Sequence, residues 1–256
     1  QEEDPSWLGV PFLTMKAVAG EPPLDWPSYH ASGFYADLSE ASRRKLWVST
    51  IDALARLHRA DWRAIGLDFV PGGRPGDDPE RYVLQYWRRY LDEWIKVDPS
   101  ETIPVYDEAL DWLEKHRPER VRTGLVWGDA KLGNVLYRVD SCEVAAVIDW
   151  ELAHLGDPAE DIGWLCIRSW RFGNDELPVA GVGHAGPFLV AYQAAGGRSV
   201  EAERLRFWEI LGNVKWAIIC ARQARDHLTG VRRSHELASL GRRICEPEWD
   251  MLELIR

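Results

Sequence analysis

The sequence predicts an α+β chain in which one short β island sits inside a mostly helical body. Three observations carry this. The β-compatible runs "GLVW", "VLYRV" and "VAAVI" crowd into residues 124–148, apolar residues recur at three- and four-residue steps on both sides of them, and no repeat or low-complexity tract interrupts the pattern.

Taken in order, "PFLTMKAVAG" (Pro11 to Gly20) is an apolar run closed by glycine and reads as a strand, with the turn-rich "EPPLDWP" as its connector. From Ser39 to about Arg59, the spacing of Trp47, Ile51, Leu54 and His58 marks one face of an amphipathic helix. "VPGGRPGDDP" (Val70 to Pro79) breaks that pattern. Asp78 as N-cap with Pro79 at the first helical position opens the next helix, whose stripe runs Val83, Tyr86, Trp87, Tyr90 and Trp94. A third helix, about Tyr106 to His116, uses Ala109, Leu110 and Leu113. After the β island the chain reads as helix almost to its end, with starts at Asp157–Pro158, at Ser199 for a long helix reaching about Leu228, and at Ser234.

Composition narrows the function. The chain has 256 residues, enough for one large domain or two small ones, and a formal charge of -10 from 31 Lys plus Arg against 41 Asp plus Glu. That balance lacks the basic excess that grips nucleic-acid phosphates, so no nucleic-acid partner is expected. The cysteines, Cys142, Cys166, Cys220 and Cys245, lie far apart with no CxxC pair, which fits reduced thiols in a cytoplasmic protein. No stretch approaches the roughly 18 apolar residues of a membrane span, and "QEEDPSW" has no signal-peptide pattern.

The chemistry concentrates in "LVWGDAKLGNVLYRVDSCEVAAVIDWE", residues 125–151. If the second and third β runs form a hairpin across the turn Asp140 to Glu143, Val139 faces Val144, Val135 faces Ile148 and Asn134 faces Asp149. Directly opposed residues have Cβ atoms about 4.5–5.5 Å apart, close enough for an amide oxygen and a carboxylate to hold one Mg²⁺. Asp129 heads the turn into the first of these strands and overlooks the same corner, which is where a base belongs. An Asp, an Asn five residues on, and an Asp after a hairpin is the spacing of the protein-kinase catalytic loop and its metal aspartate.

"WGDAKLGN" and "IDWE" resemble the H-G-D-x-x-x-x-N loop and I-D-W/F-E segment of the aminoglycoside phosphotransferase and choline-kinase-like enzymes, with Trp127 in place of the usual His. The resemblance extends through "PFLTMKAVAG", "LARLHRAD" and "GDPAEDIGW". It implies a protein-kinase-like fold: residues 1–20 as a strand and hinge remnant of an N-lobe, and 21–256 as a helical C-lobe with catalytic loop 127–134 and metal segment 148–151. It further implies an ATP- and Mg²⁺-dependent phosphotransferase acting on a hydroxyl of a small molecule of aminoglycoside, choline, sugar or hydroxyacyl type.

Carried over by position, Asp129 accepts or orients the substrate proton, Lys131 neutralises the transferring phosphate or is simply a solvated loop lysine, and Asn134 and Asp149 hold Mg²⁺ against ATP. The carbonyl of Lys16 and the amide of Val18 read adenine. Asp161 matches a position that braces the catalytic loop, Glu151 reaches toward metal or substrate or is merely exposed, and His58 reads as a core residue. No phosphate-covering loop or helix-paired lysine precedes Pro11, so the N-terminal β lobe is expected to be largely absent and residues 1–256 to transfer phosphate poorly alone. A nucleotide-binding, pseudokinase-like regulator is the alternative reading.

Overall fold

The computed structural model describes residues 2–72, 78–96, 98 and 102–256. The helical body is built from α1 (Phe34–Asp37), α2 (Glu40–Arg59), α3 (Pro79–Tyr90), α4 (Pro104–Lys115), α5 (Ala159–Cys166), α6 (Ala185–Ala194), α7 (Ala202–Leu228), α8 (His235–Arg242) and α9 (Cys245–Ile255). Strands β1 (Gly124–Val126), β2 (Val135–Arg138), β3 (Glu143–Val147) and β4 (His154–Gly156) form two antiparallel pairs, β1 with β4 and β2 with β3.

Local chemistry sets several helix starts. The Ser39 side chain accepts from the Ser42 N–H at 3.2 Å, Asp78 from Arg81 N–H at 3.1 Å ahead of Pro79, and Ser234 from Leu237 N–H at 3.4 Å, each satisfying an otherwise orphaned amide. Asp157 does the same for the Ala159 N–H at 3.0 Å, ahead of α5. Ser199 does not cap α7, which begins at Ala202 with Glu201 before it; its hydroxyl instead lies 3.4 Å from the Glu201 carboxylate. The α3 stripe continues past Tyr90 through a π-helical turn, Leu91–Ile95. Of the glycine-proline stretch expected between α2 and α3, residues 73–77 lie outside the described residues.

Residues 11–20 are not a strand. They make isolated bridges only, Phe12 with Glu2 and, just beyond, Glu21 with Tyr137, and most of their side chains are exposed. An apolar run with no neighbouring strand to pair with cannot close a ladder, whatever its composition.

Two apolar clusters organise the body. One joins α2 (Leu46, Ile51, Leu54) to the β2–β3 hairpin and to α5 and α6, and the other gathers α3, α4 and α9 around α7. Helix α7 packs against α5, α8, α9 and α4 and serves as the central post. The hairpin lies on α2, where the Ser49 hydroxyl accepts from the Val144 N–H at 2.9 Å. Val135 and Tyr137 point into the core while Arg138 is exposed, the alternation of a one-faced strand.

Candidate active site

The hairpin register differs from the expected one. Val135 pairs with Val147 and Leu136 with Ala146, then a bulge shifts Tyr137 opposite Val144 and Arg138 opposite Glu143. The turn closes one residue early, with Cys142 in the left-handed region at φ 54° and its N–H donated to the Arg138 carbonyl at 2.7 Å. Asn134 therefore opposes Ile148, whose N–H it accepts at 2.9 Å, and not Asp149. Asp149 follows at φ 63°, a left-handed conformation that Asp tolerates better than most residues, and leaves the ladder at the hairpin mouth beside Asn134.

Asp129 is held at both carboxylate oxygens. Oδ1 accepts from the Trp164 indole N–H at 2.8 Å, and Oδ2 from the Asn134 amide N–H at 2.7 Å; the same amide also donates to the Asp129 carbonyl at 3.1 Å. Gly128 immediately before it takes φ 85°, and a Cβ there would sit 2.3 Å from the Leu152 carbonyl oxygen. Only glycine allows that approach, which presses the turn carrying Asp129 onto the segment carrying Asp149 and Glu151.

Beneath the turn, the fully buried Asp161 accepts the N–H groups of Trp127 at 2.7 Å and Gly128 at 2.8 Å, and is bonded at 2.9 Å to Nε2 of His58, whose Nδ1 meets the Tyr192 hydroxyl at 2.7 Å. Burial opposes ionisation of Asp161, but the His58 partner and the two backbone amides outweigh it and hold the carboxyl below the usual carboxylate range. The brace expected at Asp161 is thus present, and His58 is a satisfied core residue that completes it. The indole of Trp127 donates to the carbonyls of Ile148 at 2.9 Å and Asp149 at 3.1 Å, tying the loop to the metal segment.

A cavity of about 760 Å³ is lined by Asp129, Lys131 and Asp149, with Glu151 beside them, and by the rings of Trp164 and Trp170 among others. Lys131 is ion-paired with Asp25 at 2.6 Å and lies 5.1 Å from the centre of the Trp170 ring. Lys16 and Val18 do not line that cavity and sit on the exposed stretch ahead of Gly20. The fold therefore gathers Asp129, Lys131, Asn134 and Asp149 and leaves the two hinge positions apart from them.

Asn134 commits its amide nitrogen to Asp129, which leaves its carbonyl oxygen free to accept or to ligate. With the Asp149 carboxylate this makes two hard oxygen donors, a set that fits Mg²⁺ completing its shell with water and phosphate. Among the described residues no group of three His, Cys, Asp or Glu forms a metal cage.

Three contributors carried no sequence signal strong enough to single them out. Trp164 reads as one more core tryptophan, and Asp25 lies more than a hundred residues from its partner Lys131. Lys215 is a lone charge in the apolar run "ILGNVKWAIIC", which was the available clue. It is buried, donates to the Gly128 carbonyl, lies 4.0 Å from Glu160, and sits 4.3 Å from the centre of the Trp164 ring.

Residues 1–208 match the model of a family described as phosphotransferase enzyme family. Among curated proteins, the chain is 33% identical over 165 residues to mouse (Mus musculus) acyl-CoA dehydrogenase family member 10, covering 64% of this chain and 14% of that protein. It is 29% identical over 221 residues to probable acyl-CoA dehydrogenase IBR3 of Arabidopsis thaliana, covering 80% of this chain and 26% of that one. It is also 30% identical over 165 residues to homoserine kinase of Beijerinckia indica, covering 63% of this chain and 46% of the kinase. The chain thus spans a minor part of the dehydrogenase-named relatives, whose names describe proteins several times its matched length. Among solved structures, one from Ralstonia eutropha JMP134, provisionally called an aminoglycoside phosphotransferase, superposes with a TM-score of 0.77 at 26% identity, covering 98% of this chain and 76% of that one. A thermostable mutant of aminoglycoside phosphotransferase APH(4)-Ia, in ternary complex with AMP-PNP and hygromycin B, shares the fold with a TM-score of 0.59 at 17% identity, covering 94% of this chain and 70% of that one.

Proposed function

The chain belongs to the phosphotransferase enzyme family, and from that premise we propose that it moves the γ-phosphate of ATP, with Mg²⁺, to a hydroxyl of a small molecule. The observation that supports this best is the double restraint on Asp129, with Trp164 on one oxygen and Asn134 on the other. A carboxylate fixed in this way, lining a cavity of about 760 Å³, supports reading Asp129 as the group that orients a hydroxyl for in-line attack.

In this reading Asp129 takes the proton of the acceptor hydroxyl as its oxygen bonds to the γ-phosphorus and the bond from that phosphorus to the β–γ bridging oxygen breaks, with ADP as the leaving group. Asn134 and Asp149 hold Mg²⁺, which neutralises charge on the phosphates when bound. Lys131 is available to the transferring phosphate once it exchanges Asp25 for it. Residues 1–20 serve as the hinge remnant of an N-lobe, and the Lys16 carbonyl and Val18 N–H, which have no hydrogen-bond partner among the described residues, read adenine. Acceptors of the aminoglycoside, choline, sugar or hydroxyacyl type remain the candidates. Cys142, Cys166, Cys220 and Cys245 are free thiols, which favours the cytoplasm, where ATP is also found.

The test is acceptor-dependent formation of ADP from Mg-ATP across a panel of hydroxyl compounds. Asp129→Asn should abolish turnover while Mg-ATP affinity stays within about twofold, and Asp149→Ala should weaken Mg-ATP binding itself. Unchanged turnover in Asp129→Asn would sink the assignment. The alternative is a nucleotide-binding regulator without turnover; the Trp127 indole, which stands where the family has His, bonds to the Ile148 and Asp149 carbonyls, so no observation favours that alternative.

A further inference from the structure

A second cavity lies at the far end of the His58–Asp161 brace. It has a volume of about 230 Å³, and its lining includes Arg59, Arg122 and Arg198 together with Trp62, Tyr192 and the Gly196–Gly197 pair. Three arginines thus line one hollow, in a chain of net charge -10. None of the three makes an ion pair among the described residues, whereas the nearby Asp157 is already taken by Arg204 and the Trp208 indole.

The hollow is built by residues that lack side chains. Gly196 takes φ 94°, and a Cβ there would come 3.1 Å from an Arg59 guanidinium nitrogen; one on Gly197 would overlap the Tyr192 ring at 2.3 Å. Arg198 donates to the Arg122 carbonyl, which fixes one arginine-bearing segment against the other. The wall between them is Tyr192, whose buried hydroxyl meets His58, and His58 in turn meets Asp161 under the catalytic turn.

We propose that this hollow is a binding site for a small phosphate-bearing anion, separate from the catalytic cavity, and that its occupancy is felt at Gly128 through His58 and Asp161. Guanidinium forks match phosphate oxygens in pairs, and three of them suit a tetrahedral dianion better than a planar carboxylate. The hollow has room for a small organic group beside the phosphate, against Trp62. The site does not depend on the proposed reaction, since none of its arginines lines the catalytic cavity.

The experiment titrates inorganic phosphate into the protein at constant ionic strength, by calorimetry and by amide NMR, with a small phosphate monoester as a second ligand. Lys131→Ala serves as the background, so that the ammonium nearest Asp129 in the catalytic cavity plays no part; Arg243, which also lines that cavity, is common to both arms. Arg59→Ala combined with Arg122→Ala leaves Arg198 and its backbone bond in place, and neither removed side chain makes a hydrogen bond among the described residues. The expected result is saturable binding that weakens by about tenfold or more in the paired variant, with a phosphate-dependent shift of the Gly128 amide lost at the same time. Equal affinity in the paired variant, or a Gly128 amide that does not move at saturating phosphate, overturns the proposal. Tighter binding of the monoester than of free phosphate would assign the site to phosphorylated metabolites, and the reverse to phosphate itself.

Discussion

The indole N–H of Trp127 donates to the backbone carbonyl of Asp149 at 3.1 Å, so the turn carrying Asp129 and the segment carrying Asp149 are joined by one side chain. Because the same N–H is shared with the Ile148 carbonyl at 2.9 Å, the bond fixes where the chain leaves β3 and turns left-handed. Trp127→Phe keeps the ring and removes the donor. Two carbonyls on exposed residues then lose their partner, at a cost of about 0.5–1.5 kcal/mol, and Mg-ATP affinity should fall with it. Trp127→His, which restores an N–H, should recover much of the loss; titration of Mg-ATP into the two variants measures the difference.

Trp164 acts on Asp129 alone through its N–H. Trp164→Phe should lower kcat by about tenfold to a hundredfold with the KM for ATP nearly unchanged, because the carboxylate loses one of its two restraints and the nucleotide loses nothing. Steady-state kinetics in both substrates would show it, and an equal rise in KM for ATP would contradict it.

Gly128→Ala puts a methyl group against the Leu152 carbonyl in a left-handed conformation. The backbone penalty alone is about 1–2 kcal/mol, and relieving the contact must separate Asp129 from the Asp149 segment. Thermal denaturation should show a loss of several degrees, accompanied by loss of turnover greater than the fraction unfolded explains.

His154 lies buried 3.0 Å from the Glu160 carboxylate. Burial opposes its protonation, the Glu160 charge and hydrogen bond favour it, and the second effect wins, so its pKa is raised above the ordinary imidazole value; Lys215 pulls weakly the other way. A group whose folded pKa is raised gives stability that is full below its unfolded pKa, about 6.5, and is lost as pH rises through the folded value. Unfolding free energy should therefore decline on the alkaline side of about pH 6.5, and Glu160→Gln should flatten that decline. Chemical denaturation at a series of pH values checks both.

The sequence by itself determined the helices that carry their own caps, as at Ser39, Asp78 and Ser234, and the spacing of Asp129, Asn134 and Asp149, because capping and spacing are local properties of the chain. It also pointed to Asp161 as the brace. It did not determine the hairpin register, since the bulge opposite Leu136 and Tyr137 and the left-handed Cys142 depend on how β3 settles on α2. Nor did it determine that residues 11–20 lack a strand, because a strand needs a neighbour and composition cannot supply one. Tertiary structure alone decided which distant groups restrain the site: Trp164 on Asp129, Asp25 on Lys131, and Lys215 on the Gly128 carbonyl. Each of those contacts closes a long loop of chain, and only the packing of α5 on α7 and of the hairpin on α2 brings the partners within hydrogen-bond reach.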